Sequence, residues 1–140
     1  MGLHIPGASF VPPNCELRDQ LTKEAVKQVL EWSKQHNFER SLANLVDERS
    51  IVNALVGLMA TGGSTNLVIH LIAIADAAGI KLTLDDISDI SAITPLLVKL
   101  YPNGSADINK FHSLGGTAYL ISELLDNGYL HADIPTIHPD

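Results

Sequence analysis

The sequence predicts a mainly α-helical fold with one to three short β-strands. Two patterns support this prediction. Apolar residues recur at helical spacing through most of the 140 residues, and glycine or proline separates the successive apolar segments. Hydrophobic residues make up 46% of the chain and charged residues 18%, so the composition is that of a globular protein and excludes a disordered or collagen-like chain.

The N-terminal part divides into an irregular segment and a helix. Residues 1–14 contain three prolines and two glycines and are predicted to form an irregular lead-in. A helix is predicted next, because apolar residues recur at helical spacing opposite a lysine-rich face. It reaches about Gln35, and His36 and Asn37 end it. These apolar residues are Leu21, Ala25, Val29 and Leu30.

Two central helices, residues 47–60 and 64–78, are apolar on nearly every face. Asp47 is the predicted N-cap of the first, and Ser64 or Thr65 that of the second, after a glycine pair. Such helices need burial on all sides, whereas the other helices offer one apolar stripe each. We therefore expect the central helices to form the buried core and to retain an apolar face that packs against an oligomer partner or the rest of a longer protein.

A short strand and a short helix are predicted next. Residues 81–84 alternate between polar and apolar like a strand. Thr83 and Asp86 match the signature of a helix start, which predicts a helix over residues 85–91.

The C-terminal part continues with short elements. Residues 96–100 are predicted to be a strand or a helical turn, residues 102–104 a turn, and residues 106–114 a helix. Thr117 is the predicted cap of a last helix that ends near Gly128. The tail beyond it is expected to be strand or loop.

Charge and cysteine content exclude several classes of function. Sixteen acidic residues against nine basic ones give a net charge of -7, so nucleic acid is not an expected partner. The single Cys15 cannot form an internal disulfide or hold an iron–sulfur cluster, and no spacing indicates a metal site. No apolar run has the length of a membrane span and the start lacks a signal-peptide pattern, so a cytoplasmic location without a membrane partner is expected.

One segment is a candidate ligand site: the glycine pair and the small polar residues that open the second central helix. A helix start presents unpaired N–H groups and the positive end of the helix dipole, while glycines let an anion approach and hydroxyls add donors. The pattern predicts a site for a carboxylate or phosphate; a plain helix connector is the alternative. The missing lysine and glycine spacing exclude a P-loop. The candidate residues are Gly62, Gly63, Ser64, Thr65 and Asn66.

His70 extends this candidate site, because it follows Asn66 by four residues and shares its helical face. A polar pair on an otherwise apolar helix needs hydrogen-bond partners. We expect such a histidine to be hydrogen-bonded inside the core, and contact with a ligand is the alternative. No catalytic residue is predicted.

Motifs along the whole chain resemble a known family, the dehydratases that include dihydroxy-acid dehydratase and 6-phosphogluconate dehydratase. The stretch that begins at Tyr101 resembles the phosphogluconate branch. In order, the motifs are Met1-Gly2-Leu3, Pro6-Gly7, Ser9-Phe10, Ala60-Thr61-Gly62-Gly63-Ser64-Thr65-Asn66 with His70-Leu71, Tyr101-Pro102-Asn103-Gly104, Ala106-Asp107-Ile108-Asn109 and Gly115-Gly116.

The resemblance implies a hydro-lyase that removes water from a 2,3-dihydroxy acid, here 6-phospho-D-gluconate, to give the 2-keto-3-deoxy-6-phosphogluconate of the Entner–Doudoroff pathway. It implies an iron–sulfur cluster of the 4Fe–4S type as Lewis acid, with a divalent metal as a further candidate cofactor. The family's cluster cysteines precede the segment that begins at Met1, and its metal ligands and catalytic base fall outside the match. The resemblance therefore assigns no catalytic residue or metal ligand to this chain.

The resemblance also implies that residues 1–140 are one internal segment of the N-terminal domain of a longer α/β dehydratase. We expect this segment to supply substrate binding and scaffold, to be inactive alone, to pack against the rest of the parent polypeptide, and to belong to a homodimeric enzyme. An independent helical module that oligomerises through its apolar helices is the alternative. A nucleotide-binding protein is disfavoured by the missing P-loop lysine.

Overall fold

The structure is a computed structural model that describes residues 1–36, 38–100 and 104–138. Within these ranges the chain is mainly α-helical, as predicted, and residues 1–14 contain no helix or strand. A short 3₁₀ helix, Phe38–Arg40, interrupts the α-helices. The α-helices are α1 Glu16–Lys34, α2 Leu42–Leu45, α3 Glu48–Ala60, α4 Thr65–Ala77, α5 Leu84–Ile93, α6 Ile108–Ser113 and α7 Gly116–Asp126.

Helix α3 is the centre of the fold. It packs with α4 and α5 around one hydrophobic cluster and with α6 and α7 around a second, so it is covered on opposite sides. Its start is fixed by a capping box: the Ser50 N–H donates to Asp47 at 2.8 Å, and the Asp47 N–H donates to the Ser50 hydroxyl at 3.0 Å. The predictions of a buried helix and of Asp47 as its cap are confirmed.

Helix α4 is less buried than predicted. Only Leu71 and Ala75 are buried in α4, against the first cluster. Ile69 is 62% exposed and Leu67 40%. The expected uncovered apolar face is present. The expectation of full burial is wrong, because among the described residues only the Leu71 and Ala75 side of α4 is packed.

The predicted strand at residues 81–84 is not formed. Thr83 instead caps α5, since its hydroxyl accepts the Asp86 N–H at 3.2 Å, and Leu84 is the first residue of the helix. The alternating residues 81–83 lead into α5, which begins at Leu84, one residue earlier than predicted. An isolated bridge between Leu100 and Ala106 is the only β pairing within the described ranges.

Other boundaries differ by a few residues. Helix α7 begins at Gly116 after the left-handed Gly115, so Thr117 lies inside the helix and is not its cap. The described tail is loop. Helix α2 was not predicted, because four residues carry little periodicity. Helix α1 ends at Lys34 with Gln35 as its C-cap, which agrees with the predicted end near Gln35. Asn37 and most of the predicted turn at residues 102–104 lie outside the described residues.

The C-terminal tail is attached to α3 by polar contacts. Asn53, almost fully buried, donates to the carbonyl of His131 and accepts its N–H, both at 2.9 Å. Arg49 bridges the carboxylates of Asp47 and Asp133, at 2.8 and 2.6 Å. These contacts join parts of the chain about 80 residues apart. Among the described residues, no helix is long and apolar enough to cross a membrane.

Candidate functional site

The turn between α3 and α4 has the backbone that its glycines predict. Helix α3 ends with Thr61 as C-cap, whose hydroxyl donates to the carbonyls of Gly57 and Leu58 at 3.0 Å. Gly62 and Gly63 follow with φ values of 76° and 63°, in the left-handed region. L-amino acids with a Cβ rarely adopt this conformation, so glycine at both positions permits the reversal.

Gly63 is also limited by space. A Cβ on Gly63 would lie 3.0 Å from Cδ1 of Leu58 and 3.3 Å from the Leu58 carbonyl oxygen. Leu58 is 4% exposed and packed in the first hydrophobic cluster, so it cannot move away easily. The side of Gly63 that faces α3 is therefore filled by the protein.

The end of α3 is held by a second segment near the turn. The backbone N–H groups of Leu97 and Val98 both donate to the carbonyl of Ala60 at 2.9 Å. Ala60 is fully buried. The last turn of α3 therefore provides a fixed support for the start of α4.

The start of α4 has no side-chain cap among the described residues. Ser64 has the extended backbone of an N-cap, but its side chain makes no capping hydrogen bond. The backbone N–H groups of Leu67 and Val68 both donate hydrogen bonds to the Ser64 carbonyl. Ser64 thus occupies the predicted cap position, whereas the predicted side-chain cap is absent. The hydroxyls of Ser64 and Thr65 are exposed and can donate to a ligand.

Asn66 and His70 lie on one exposed face of α4, as their spacing predicted. The expectation that His70 is a core histidine is wrong: its side chain is exposed. The core side of α4 is occupied by Leu71 and Ala75 instead. The structure therefore brings all six candidate residues to the outer side of the turn and the first two turns of α4.

The positive end of the α4 dipole has no acidic residue in its first turn. The starts of α3 and α5 differ, because each is neutralised by an acidic residue. Burial raises the pKa of Asp47, but hydrogen bonds from the Ser50 N–H and from Arg49 outweigh it and lower the pKa overall. Hydrogen bonds from the Thr83 hydroxyl and N–H lower the pKa of Asp86. Of these three helix starts, only that of α4 has no acidic residue in its first turn, a property that it shares with α7.

Two apolar grooves lie elsewhere. One, of about 830 Å³, runs between the lead-in and α1 and is lined by Phe10, Arg18 and Trp32 among others. The second, of about 570 Å³, lies where Phe38 and Leu42 face α1. No candidate residue lines either groove. Within the described residues, the candidate site is an exposed surface and lines neither groove.

The single cysteine does not fit an iron–sulfur cluster, and the described residues do not fit a catalytic metal ion. A cluster requires several thiolates, and the only cysteine, Cys15, donates its thiol to the Pro12 carbonyl at 3.1 Å. Among the described residues, no three His, Cys, Asp or Glu side chains are arranged to hold a metal ion. We therefore derive no reaction step from a metal centre on this chain.

Sequence comparison identifies the family of this helical segment. The family model described as dihydroxy-acid/6-phosphogluconate dehydratase N-terminal matches residues 1–140. The chain belongs to this family.

Relatives in both branches align with almost the entire chain. Phosphogluconate dehydratase of Pseudomonas aeruginosa is 53% identical over 98% of the chain, and that of Escherichia coli is 48% identical over 98%. The chloroplastic dihydroxy-acid dehydratase of Arabidopsis thaliana is 37% identical over 98%. The chain spans only 22–23% of the length of these relatives.

Sequence reasoning missed the residues that support the site. Leu58 beneath Gly63 and the Leu97–Val98 backbone at the end of α3 belong to no motif. Leu58 lies five residues before Gly63, in a run of apolar residues that all predict burial equally well. The Ala60 contact to Leu97 connects distant segments and leaves no local pattern.

Proposed function

We propose that this chain is part of a cytoplasmic hydro-lyase that dehydrates 6-phospho-D-gluconate to 2-keto-3-deoxy-6-phosphogluconate. Membership of the dehydratase family and 48–53% identity to phosphogluconate dehydratases support this reaction over dehydration of an unphosphorylated dihydroxy acid, since the dihydroxy-acid dehydratase relative is 37% identical. The iron–sulfur cluster, any divalent metal and the catalytic base are then supplied by other parts of a longer α/β polypeptide.

We propose that residues Gly62, Gly63, Ser64, Thr65, Asn66 and His70 bind an anionic group of the substrate. The observation that carries this proposal is the open start of α4, with an unused Ser64 hydroxyl and no acidic residue in its first turn. The substrate has a carboxylate at one end and a phosphate at the other, and both accept hydrogen bonds from backbone N–H and hydroxyl groups. In this role the chain orients the substrate, and the reacting groups come from elsewhere.

Alanine variants of the full-length protein test the anion site. Ser64→Ala and Thr65→Ala each remove one donor, and neither hydroxyl supports the fold, so both variants should fold normally. We expect each to raise KM about tenfold, because a hydrogen bond to a charged group contributes roughly 1.4 kcal/mol or more. Ser91→Ala, at an exposed serine of α5, is the matched control and should leave KM unchanged.

Gluconate, which lacks the phosphate, separates the two anionic groups as ligands. If the turn binds phosphate, Ser64→Ala raises KM for 6-phosphogluconate and leaves KM for gluconate unchanged. If it binds carboxylate, both substrates are affected equally. Unchanged KM and kcat in both variants would show that the turn is only a helix connector.

An independent oligomerising module is the second candidate function, and the exposed apolar residues of α1 and α4 favour it. In α1, Val26, Val29 and Leu30 are 54–60% exposed. The match of the whole chain to a dehydratase domain favours an enzyme segment instead. Size-exclusion chromatography at two concentrations separates them, because a module gives a discrete dimer, whereas a segment with uncovered apolar faces associates without a defined size.

A further inference from the structure

We infer that residues 134–138 form a strap that lifts off the lead-in and α1 while the core around α3 stays closed. The inference rests on contacts within this chain and is independent of the proposed substrate. It assigns a conformational device to the fold, because the strap lies between the two apolar grooves.

The C-terminal tail is held firmly up to Asp133 and weakly after it. His131 is bound by the two hydrogen bonds of the nearly buried Asn53, and Asp133 by the ion pair with Arg49. The strap that follows contains no helix, no strand and no buried residue. A segment with few buried contacts opens at a lower free energy than the core. The hinge of the strap therefore lies directly after Asp133.

The strap contacts the lead-in and α1. The Ile137 N–H donates to the Gly2 carbonyl at 3.0 Å, and the His138 ring meets the Trp32 ring edge to face, with centroids 6.0 Å apart. Thr136 lies against Gly2, since a Cβ at position 2 would be 2.5 Å from Thr136 Cγ2 and 2.8 Å from its Cβ. Closure of the strap therefore requires glycine at position 2, which also has a left-handed φ of 63°.

Two buried polar atoms near Trp32 have no hydrogen-bond partner among the described residues. One is Nε2 of His138, whose ring contacts Trp32. The other is Oε1 of Gln28, one helical turn before Trp32 in α1. A buried polar group without a partner costs free energy, and the cost is removed when water reaches the group. The closed position of His138 is therefore opposed by its own ring nitrogen, and lifting the strap hydrates it.

The strap forms part of the wall between the two apolar grooves. Both grooves are lined by Leu3, Val29, Trp32 and Ile137. Ile137 belongs to the strap, whereas the other three residues belong to the lead-in and α1. Moving Ile137 away joins the grooves of about 830 and 570 Å³ along one side of α1. The closed strap divides this apolar surface, and the lifted strap makes it continuous.

Hydrogen exchange of the full-length protein tests the inference without measuring activity. The amide of Ile137, which donates to Gly2, reports on the strap, and the amide of the fully buried Leu55 in α3 reports on the core. Each rate is compared with the intrinsic rate of the unfolded chain to give a protection factor. We expect protection at Ile137 to be measurable but at least about tenfold lower than at Leu55, because the strap opens without the core.

Two results in the wild-type protein would overturn the inference. A smaller difference between the two amides would show that the strap opens only together with the core. An Ile137 amide without any protection would show that the strap does not close on the lead-in.

A pair of glycine variants tests the contact that closes the strap. Gly2 and Gly7 both lie in the lead-in with left-handed φ values of 63° and 76°, but a Cβ on Gly7 meets nothing within 4 Å. Gly2→Ala should lower the protection of Ile137 at least about tenfold and leave Leu55 unchanged, because the new Cβ displaces Thr136. Gly7→Ala, the matched control, should change either amide by less than about threefold.

An unchanged Ile137 amide in Gly2→Ala, or an equal loss of protection in the two variants, would refute the role of Gly2 in closing the strap. A parallel loss at Leu55 would refute the independence of the strap from the core. The comparison of Ile137 with Leu55 in the wild-type protein decides the inference even if Gly2→Ala does not fold.

Discussion

Gly63 shows how a single residue can be fixed by both backbone and space. Its φ of 63° lies in the left-handed region, and Leu58 fills the position of a side chain. A variant at Gly63 therefore reports on fold stability as well as on ligand access. The hydroxyls of Ser64 and Thr65 are better probes of binding, because the described structure does not use them.

A pair of glycine variants separates the two constraints on Gly63. Gly79 has a similar φ of 76°, but a Cβ there would meet nothing within 4 Å. Gly79→Ala should cost about 1 kcal/mol from the left-handed backbone alone. Gly63→Ala should cost more, because Leu58 must also shift. Urea unfolding midpoints measure both, and equal losses would show that the contact with Leu58 has no energetic weight.

At the scale of elements, the cap predictions for α3 and α5 are confirmed, whereas Ser64 makes no side-chain cap and Thr117 lies inside α7. Asp47 and Thr83 were recognised as helix caps because a cap needs only residues within three positions. The strand at residues 81–84 was predicted wrongly because alternation over four residues does not distinguish a strand from the approach to a capped helix. The exposure of His70 could not be predicted, since the sequence of α4 is equally compatible with burial on every side.

The N-cap of α3 gives a testable pH dependence. Asp47→Ala removes the acceptor of the Ser50 N–H and a partner of Arg49, and should cost about 1 kcal/mol near neutral pH. The pKa of Asp47 is lowered from 3.8 in the folded state, so its stabilisation is full above that value and is lost as the pH falls through the lower folded pKa.

Urea unfolding midpoints measured across acidic pH test this dependence. The difference between wild type and Asp47→Ala should shrink below about pH 3.8. Asp89→Ala, at an exposed position of α5, is the control and should have little effect at any pH. A difference that persists unchanged to the acid limit of the fold would contradict the assignment of the cap carboxylate.

At the scale of the whole molecule, the helical class and the family were evident from the sequence, because periodicity and motifs run along the entire chain. The attachment of the C-terminal tail to α3 could not be predicted from the sequence. Asn53 and Arg49 contact residues 78 and 84 positions later, and no local pattern marks such pairs. In α4 only Leu71 and Ala75 are buried, and a helix sequence that is apolar nearly all round does not show which of its faces is packed.

The cofactor assignment leads to a prediction for the 140-residue chain. Treated with iron and sulfide under anaerobic conditions, it should stay colourless and should not dehydrate 6-phosphogluconate, because one thiol cannot hold a cluster. Visible absorption and a keto-acid assay measure this. A stable brown protein would contradict the assignment of the cluster ligands to other parts of the polypeptide.

The most direct test of the central claim is the substrate preference of the full-length protein that contains this chain. Steady-state kinetics should compare 6-phospho-D-gluconate with a 2,3-dihydroxy acid that has no phosphate. We expect kcat/KM to favour 6-phosphogluconate by about a hundredfold or more, equivalent to two charge-assisted hydrogen bonds of roughly 1.4 kcal/mol each. Equal values, or a preference for the unphosphorylated acid, would contradict the proposed function.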